Sequence, residues 1–255
     1  MTRLMIDVAL TPAEARTVVT GETVCIVVDV LRATSTIVAL LERGCERVYP
    51  VAGIDEARQL ARKNGFLLAG ERDGLPLPDF DFGNSPCEIQ HLDLRGKIVA
   101  ITTTNGTQAI EHVRRAAAVV AGSLLDATAA CAHAVSLCGE AGGSVVVVCA
   151  GEKGRFVLDD AVCSGFLVKK LAGVARGCGM VVVLSDSARA TVRLHDSYPD
   201  VLEAFEDSAS GKRLVEIDRE DDLVFCSRTD VFETAPVLAG DGLVWFEPYR
   251  SGGRK

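Results

Sequence analysis

The sequence contains no CxxC pair and no Cys/His cluster at finger or ribbon spacing, and its four histidines, His91, His112, His133 and His195, show no metal-ligand spacing. These absences argue against a structural zinc site. The nine cysteines stand singly, mostly inside apolar runs such as VCIVVDV and VVVVCAG, as buried free thiols do. No apolar run reaches transmembrane length, and the opening MTRLMIDVAL lacks the apolar stretch and cleavage site of a secretory signal. A cytoplasmic protein with no membrane partner is therefore expected. Positive charge is scarce too: 27 Lys and Arg face 35 Asp and Glu, for a net charge of −8. No basic stretch is interleaved with aromatics, which speaks against nucleic acid as a partner. Internal repeats and low-complexity linkers are also missing.

What is present is a core-forming composition, 48% hydrophobic, in which β-branched runs alternate with helical patterns. That alternation predicts an α/β fold, a layered α/β/α architecture with a largely parallel or mixed sheet. Strands are expected at residues 24–30, 47–51, 97–102, 118–121 and 144–149, and helices at 34–43, 54–64, 107–116, 125–138 and 158–175. Beyond Arg176 the pattern is less regular. Residues 185–207 read as polar helix, DLVFCS and GLVWFEPY as late strands, and residues 181–183 as strand or helix. The chain is long enough for one α/β domain over residues 1–250, or two lobes, with 251–255 a frayed tail.

Four stretches collect polar groups where an α/β sheet binds ligands, beyond the carboxyl ends of strands. VVDVLRATST delivers Asp29 and Arg32 at a helix start; a carboxylate there holds a metal or acts as nucleophile, and a guanidinium clamps an anion. ITTTNGTQAI places Thr103, Thr104 and Asn105 around a glycine, which suits phosphate or sulfonate but lacks the GK[ST] ending of a P-loop. GERDGLPLPDFDFGNSPCEI carries Glu71 and Arg72, and its Asn-Ser-Pro also satisfies the rule for a helix start. VVVVCAGEKGRFVLDDAVCSGF ends a buried strand in a glycine-rich turn with Lys153, then opens a helix with Asp159 and Asp160. An acidic protein with an anionic ligand must gather its few cations at the site or borrow a metal's charge, which points to Mg²⁺.

Taken together and in this order, DVLRATSTI, GER, FDFGNSP, TTTNGT and CAGEKGRFVLDD followed by CSG resemble the 2-phosphosulfolactate phosphatase family. Weaker agreement continues through SASGKRL to the Cys226 region, whereas residues 180–200 depart from the family pattern. The resemblance implies a Mg²⁺-dependent hydrolase that converts (2R)-phospho-3-sulfolactate to 3-sulfolactate and phosphate, a step associated with coenzyme M or sulfolactate synthesis. On that basis Asp29, Arg32 and Asp160 are expected to be catalytic. Arg32, Arg72, Thr103, Thr104, Asn105 and Lys153 would bind the small anionic phosphate-ester substrate, and Asp29, Glu71 and Asp159 the metal. A homo-oligomer is compatible with the sequence.

Three alternatives stand beside this reading. One is a phosphatase of another small anionic monoester, and one a non-catalytic small-anion sensor. The third is a cysteine-dependent phosphatase, because Cys149 and Arg155 have C(x)5R spacing on a strand-to-helix turn. A haloacid-dehalogenase-type mechanism is disfavoured, since Leu31 stands where DxDx[TV] needs its second acid.

Overall fold

The computed structural model describes residues 2–139, 142–240 and 243–249. In chain order the elements are β1 (Arg3–Ala9), α1 (Pro12–Val18), β2 (Thr23–Val28), α2 (Ala33–Glu42), β3 (Arg47–Pro50), α3 (Ile54–Asn64), β4 (Leu67–Arg72), β5 (Leu75–Pro76), α4 (Pro86–Ile89), β6 (Ile98–Thr102) and α5 (Gly106–His112). They continue with β7 (Ala118–Ala121), α6 (Ala127–Cys138), β8 (Gly143–Cys149), α7 (Leu158–Gly177), β9 (Val181–Leu184) and α8 (Asp186–Ser197). The last are α9 (Val201–Asp207), α10 (Ala209–Glu216), α11 (Glu220–Cys226), β10 (Ala235–Ala239) and β11 (Trp245–Tyr249).

These strands form one 11-stranded sheet in the order β5-β4-β6-β3-β11-β10-β7-β2-β8-β1-β9. Five of them, β9, β1, β8, β2 and β7, pair in parallel, and so do β3, β6 and β4. The hairpin β10–β11 joins the two parallel blocks, antiparallel to β7 on one side and to β3 on the other. Successive antiparallel pairings make β3 run opposite to β7.

Strand β2 is buried at every position, as a parallel strand covered on both faces must be. Its alternate residues serve two cores. Val24, Ile26 and Val28 pack with β8 residues Val145 and Val147 against α6 and α7, while Cys25 and Val27 join Val146 and Val148 on the face covered by α2 and α5. A third cluster, around Tyr49, Leu68 and Ala100, takes the apolar stripe of α3. Helices on both faces give the expected layered α/β/α arrangement. Helix α2 is buried from Ala33 to Leu41, so the catalytic-looking turn that precedes it is anchored in the core.

The C-terminal third corrects one expectation. DLVFCS is not a strand: Leu223 to Cys226 lie in α11, where three acids in the first turn favour the helix dipole. A short apolar run does not by itself distinguish the two periods. Residues 181–183 form β9, and GLVWFEPY contributes β11. Ser85 caps α4 by accepting a hydrogen bond from the Glu88 N–H at 3.2 Å, with Pro86 at the first helical position. The tail, residues 251–255, lies outside the described residues. Among the described residues no helix is long and apolar enough to cross a membrane.

Candidate active site

The site is assembled from turns that follow β2, β4, β6 and β8. In the first, the Thr34 hydroxyl donates to the Asp29 carbonyl at 3.0 Å and the Ser35 hydroxyl to the Val30 carbonyl at 2.8 Å. These back-bonds fix the strand-to-helix turn, and neither residue is the helix cap. Asp29 Oδ1 accepts the Ala33 N–H at 3.2 Å. Gly106, at the start of α5, comes so close that a Cβ there would lie 2.7 Å from Asp29 Oδ2 and 2.6 Å from the Ala33 Cβ, so only glycine fits.

Near the end of β4, Glu71 turns inward and is buried. Its Oε1 accepts the Thr104 N–H at 2.8 Å and the Thr104 hydroxyl at 3.0 Å, and its Oε2 accepts the Gly74 N–H at 2.7 Å. The turn after β8 is tied to the turn after β6 where the Lys153 N–H donates to Asn105 Oδ1 at 3.1 Å. Thus the Glu71 carboxylate ties together the turns after β4 and β6, and the Asn105 amide joins them to the turn after β8 in the other parallel block.

Between these turns lies a cavity of about 390 Å³. Its wall brings together Asp29, Arg32, Glu71, Thr104, Asn105 and Lys153 of the expected residues. It adds Asp73, Glu152, Ser210 and Arg213. Burial pushes the Asp29 carboxyl up, and the charges of Glu71 and Asp159 add to that, against the N–H groups of Ala33 and Gly106. Burial likewise raises Asp159, whose opposing contacts include the hydroxyls of Ser210 and Ser208. The neighbouring carboxylates of this region thus add to the effect of burial.

Four expected residues are placed off the wall. Arg72 alternates with Glu71 along the strand and faces the other way; its guanidinium donates to the Glu71 carbonyl at 2.6 Å, Thr102 Oγ1 at 2.9 Å and the Ala52 carbonyl at 3.3 Å. Thr103 is buried, and its hydroxyl accepts the Thr107 N–H at 3.4 Å. Asp159 sits one residue behind the wall, accepting from the Ser210 hydroxyl at 3.2 Å. Asp160 braces two turns, its Oδ1 accepting the Val30 N–H and its Oδ2 the Gly151 N–H, both at 3.0 Å. Burial and then the charges of Asp159 and Asp29 raise the Asp160 carboxyl well above the usual range.

Arg32 reaches the wall, but two of its five N–H donors are spent. One goes to Asp222 at 2.6 Å and one to the Gly74 carbonyl at 2.7 Å. Lys153 is exposed, with its Nζ 4.0 Å from Asp73. Arg213 donates to the Asp73 carbonyl and to Glu216, and is the wall's further cation.

The donor chemistry bears on magnesium, which takes hard oxygen ligands and commonly only one or two carboxylates, with waters and a substrate phosphate completing its shell. Asp29 and Glu71 on one wall fit that requirement, since Glu71 Oε2 accepts only the Gly74 N–H and keeps a second lone pair, while its Oε1 is taken up by Thr104. A three-carboxylate set with Asp159 is not gathered. Among the described residues no group of three His, Cys, Asp or Glu side chains is placed to hold a metal ion.

The surroundings of Cys149 speak against the cysteine alternative. Cys149 is 1% exposed and is the last residue of β8, packed in the hydrophobic core with its Sγ 3.2 Å from the Ser164 hydroxyl. Burial and the charge of Asp160 push its thiol well above the ordinary value, which disfavours the thiolate a nucleophile needs. Arg155 is exposed on the turn.

Asp222 and Ser210 are contributions that the residue patterns alone did not single out. Asp222 was hidden in a segment read as strand. Ser210 and Arg213 carried a signal, because SASGKRL agreed with the family text.

A family model described as 2-phosphosulpholactate phosphatase matches residues 9–241. A protein of Thermotoga petrophila is 39% identical over 238 residues, covering 92% of this chain and 95% of its own. One of Thermus thermophilus is 39% identical over 219 residues (85% and 88%), and one of Clostridium kluyveri 33% over 221 residues (86% and 88%). All three carry the name "Probable 2-phosphosulfolactate phosphatase". With the acid-lined cavity built from the same motifs, these matches establish that the chain belongs to the 2-phosphosulfolactate phosphatase family of phosphoric monoester hydrolases.

Proposed function

We propose that the cavity binds 2-phospho-3-sulfolactate and hydrolyses its phosphate ester with the help of Mg²⁺ held by Asp29 and Glu71. The observation that supports this most is the meeting of those two carboxylates with Lys153, Arg213 and the Thr104–Asn105 turn around one cavity. A substrate with phosphate, carboxylate and sulfonate on three carbons would be repelled by Asp29, Glu71, Asp73 and Glu152 alone. Bound magnesium supplies positive charge that offsets the phosphoryl oxygens.

The chain's own residues do the rest. Lys153 and Arg213 contribute cationic donors at the mouth, and Arg32 offers its remaining N–H groups at the wall. Asp222 and the Gly74 carbonyl hold Arg32 in one orientation, so little reorganisation is needed when charge builds on the phosphoryl group. In the overall reaction a water oxygen bonds to phosphorus as the bond to the C2 oxygen breaks. That oxygen leaves with a proton as the hydroxyl of 3-sulfolactate. Asp160 acts through the two turns it braces and not on the substrate.

The reading is tested by phosphate release from phosphosulfolactate, phospholactate and phosphoglycolate, each with and without Mg²⁺. Highest kcat/KM with phosphosulfolactate, dependent on the metal, supports it. Equal rates for all three esters would remove the sulfonate from the assignment, and equal rates with EDTA would remove the metal.

A further inference from the structure

Asn84 stands on the cavity wall beside Arg32 and Gly74 and is 5% exposed. Its Oδ1 is sealed from solvent and has no hydrogen-bond partner among the described residues. The neighbouring Ser85 is fully occupied by comparison: its hydroxyl donates to Asp222 at 2.7 Å and accepts the Glu88 N–H at 3.2 Å. Capping of α4 thus explains Ser85 and Pro86 and leaves Asn84 unexplained. A buried carboxamide without internal partners costs stability, and folded proteins seldom keep one unless something outside the chain completes it.

We propose that Asn84 is a substrate-binding residue whose amide N–H donates to an anionic oxygen of the carboxylate or sulfonate that stays behind when phosphate leaves. The inference rests on the phosphatase reading above and names a determinant of its specificity. Three observations carry it. The residue shares the cavity wall with Arg32 and directly precedes Ser85, which is hydrogen-bonded to the same Asp222 that holds Arg32. A fully ionised phosphosulfolactate offers only acceptors, so the contact must use the donor end of the amide. The amide nitrogen, unlike Oδ1, is not sealed from solvent, so it is the end of the side chain that can reach a ligand at the cavity wall. A neutral donor also recognises an anion without adding to the crowded charges of the wall.

The test is calorimetric binding of 3-sulfolactate and of lactate to the intact chain and to N84A and N84D, with thermal midpoints measured alongside. N84A is expected to bind 3-sulfolactate roughly tenfold more weakly, the equivalent of about 1.4 kcal/mol, while its midpoint stays at or above that of the wild type because no internal bond is lost. N84D keeps the shape, replaces the donor with a carboxylate, and is expected to lose binding further. A loss confined to 3-sulfolactate assigns the sulfonate; a loss shared with lactate assigns the carboxylate. Wild-type affinity in N84D, or an unchanged KM for phosphosulfolactate in N84A, overturns the role of Asn84 and leaves the phosphatase reading standing. A wild-type chain that neither releases phosphate nor binds 3-sulfolactate overturns both.

Discussion

Arg32 and Asp222 meet at 2.6 Å with side chains 3% and 1% exposed, so the turn after β2 is closed by a carboxylate far along the chain. Asp222 also accepts the Ser85 hydroxyl and the Cys87 N–H, which joins α4 and α11 to the same point. Removing one partner of a buried pair leaves an uncompensated charge. D222A is expected to cost about 3–5 kcal/mol in urea unfolding and to lower kcat/KM as Arg32 loses its orientation. An unfolding free energy within experimental error of the wild type would show that the pair holds nothing in place.

Gly106 makes a second, sharper prediction. The methyl of G106A would meet Asp29 Oδ2 and the Ala33 Cβ at under 3 Å. Relief requires Asp29 to move. Overpacking of this kind costs about 1–3 kcal/mol, and activity is expected to fall by more than the stability change explains. Full activity with an unshifted thermal midpoint would mean that the close approach has no bearing on the site.

C149S is expected to retain most of its phosphatase activity, because the thiol lies in the sheet core, where burial works against the thiolate. A serine nucleophile cannot replace a reactive thiolate, so a collapse of kcat in a correctly folded C149S protein would restore the cysteine mechanism.

Asp126 supplies a pH-dependent prediction away from the cavity. Its Oδ1 accepts the Ser123 N–H and hydroxyl, its Oδ2 is buried without a partner among the described residues, and burial pushes the carboxyl up to about 7. In the unfolded chain the group titrates near its ordinary value of about 4. Between about pH 4 and about pH 7 the folded state therefore keeps a proton that the unfolded state has released, and stability declines as pH rises. Replacing the carboxyl in D126N removes this slope. The midpoint of D126N relative to the wild type should increase from about pH 5 to about pH 8, by the equivalent of up to a few kcal/mol. A difference independent of pH would exclude an ionising Asp126.

Much of the fold was legible because the central strands are extreme cases. β2 and β8 are continuous apolar runs between turn signals, which only a doubly covered parallel strand requires. Less of the site could be read. Glu71 and Arg72 are adjacent in the text, yet the pleat of β4 sends one to the cavity and the other to Thr102. Asp159 and Asp160 are likewise adjacent, and their separation to Ser210 and to two backbone turns depends on α10 and on the β2 turn. Asp222 could not be linked to Arg32 from local pattern, because the pairing is set by how α11 packs on α4.

The most direct measurement is steady-state phosphate release from 2-phosphosulfolactate by the wild-type chain and by D29N, each with Mg²⁺ and with EDTA. The wild type should turn over only with the metal, and D29N should lose at least about a hundredfold in kcat/KM while remaining folded. Near-wild-type, metal-dependent turnover by D29N would contradict the placement of the reaction at Asp29.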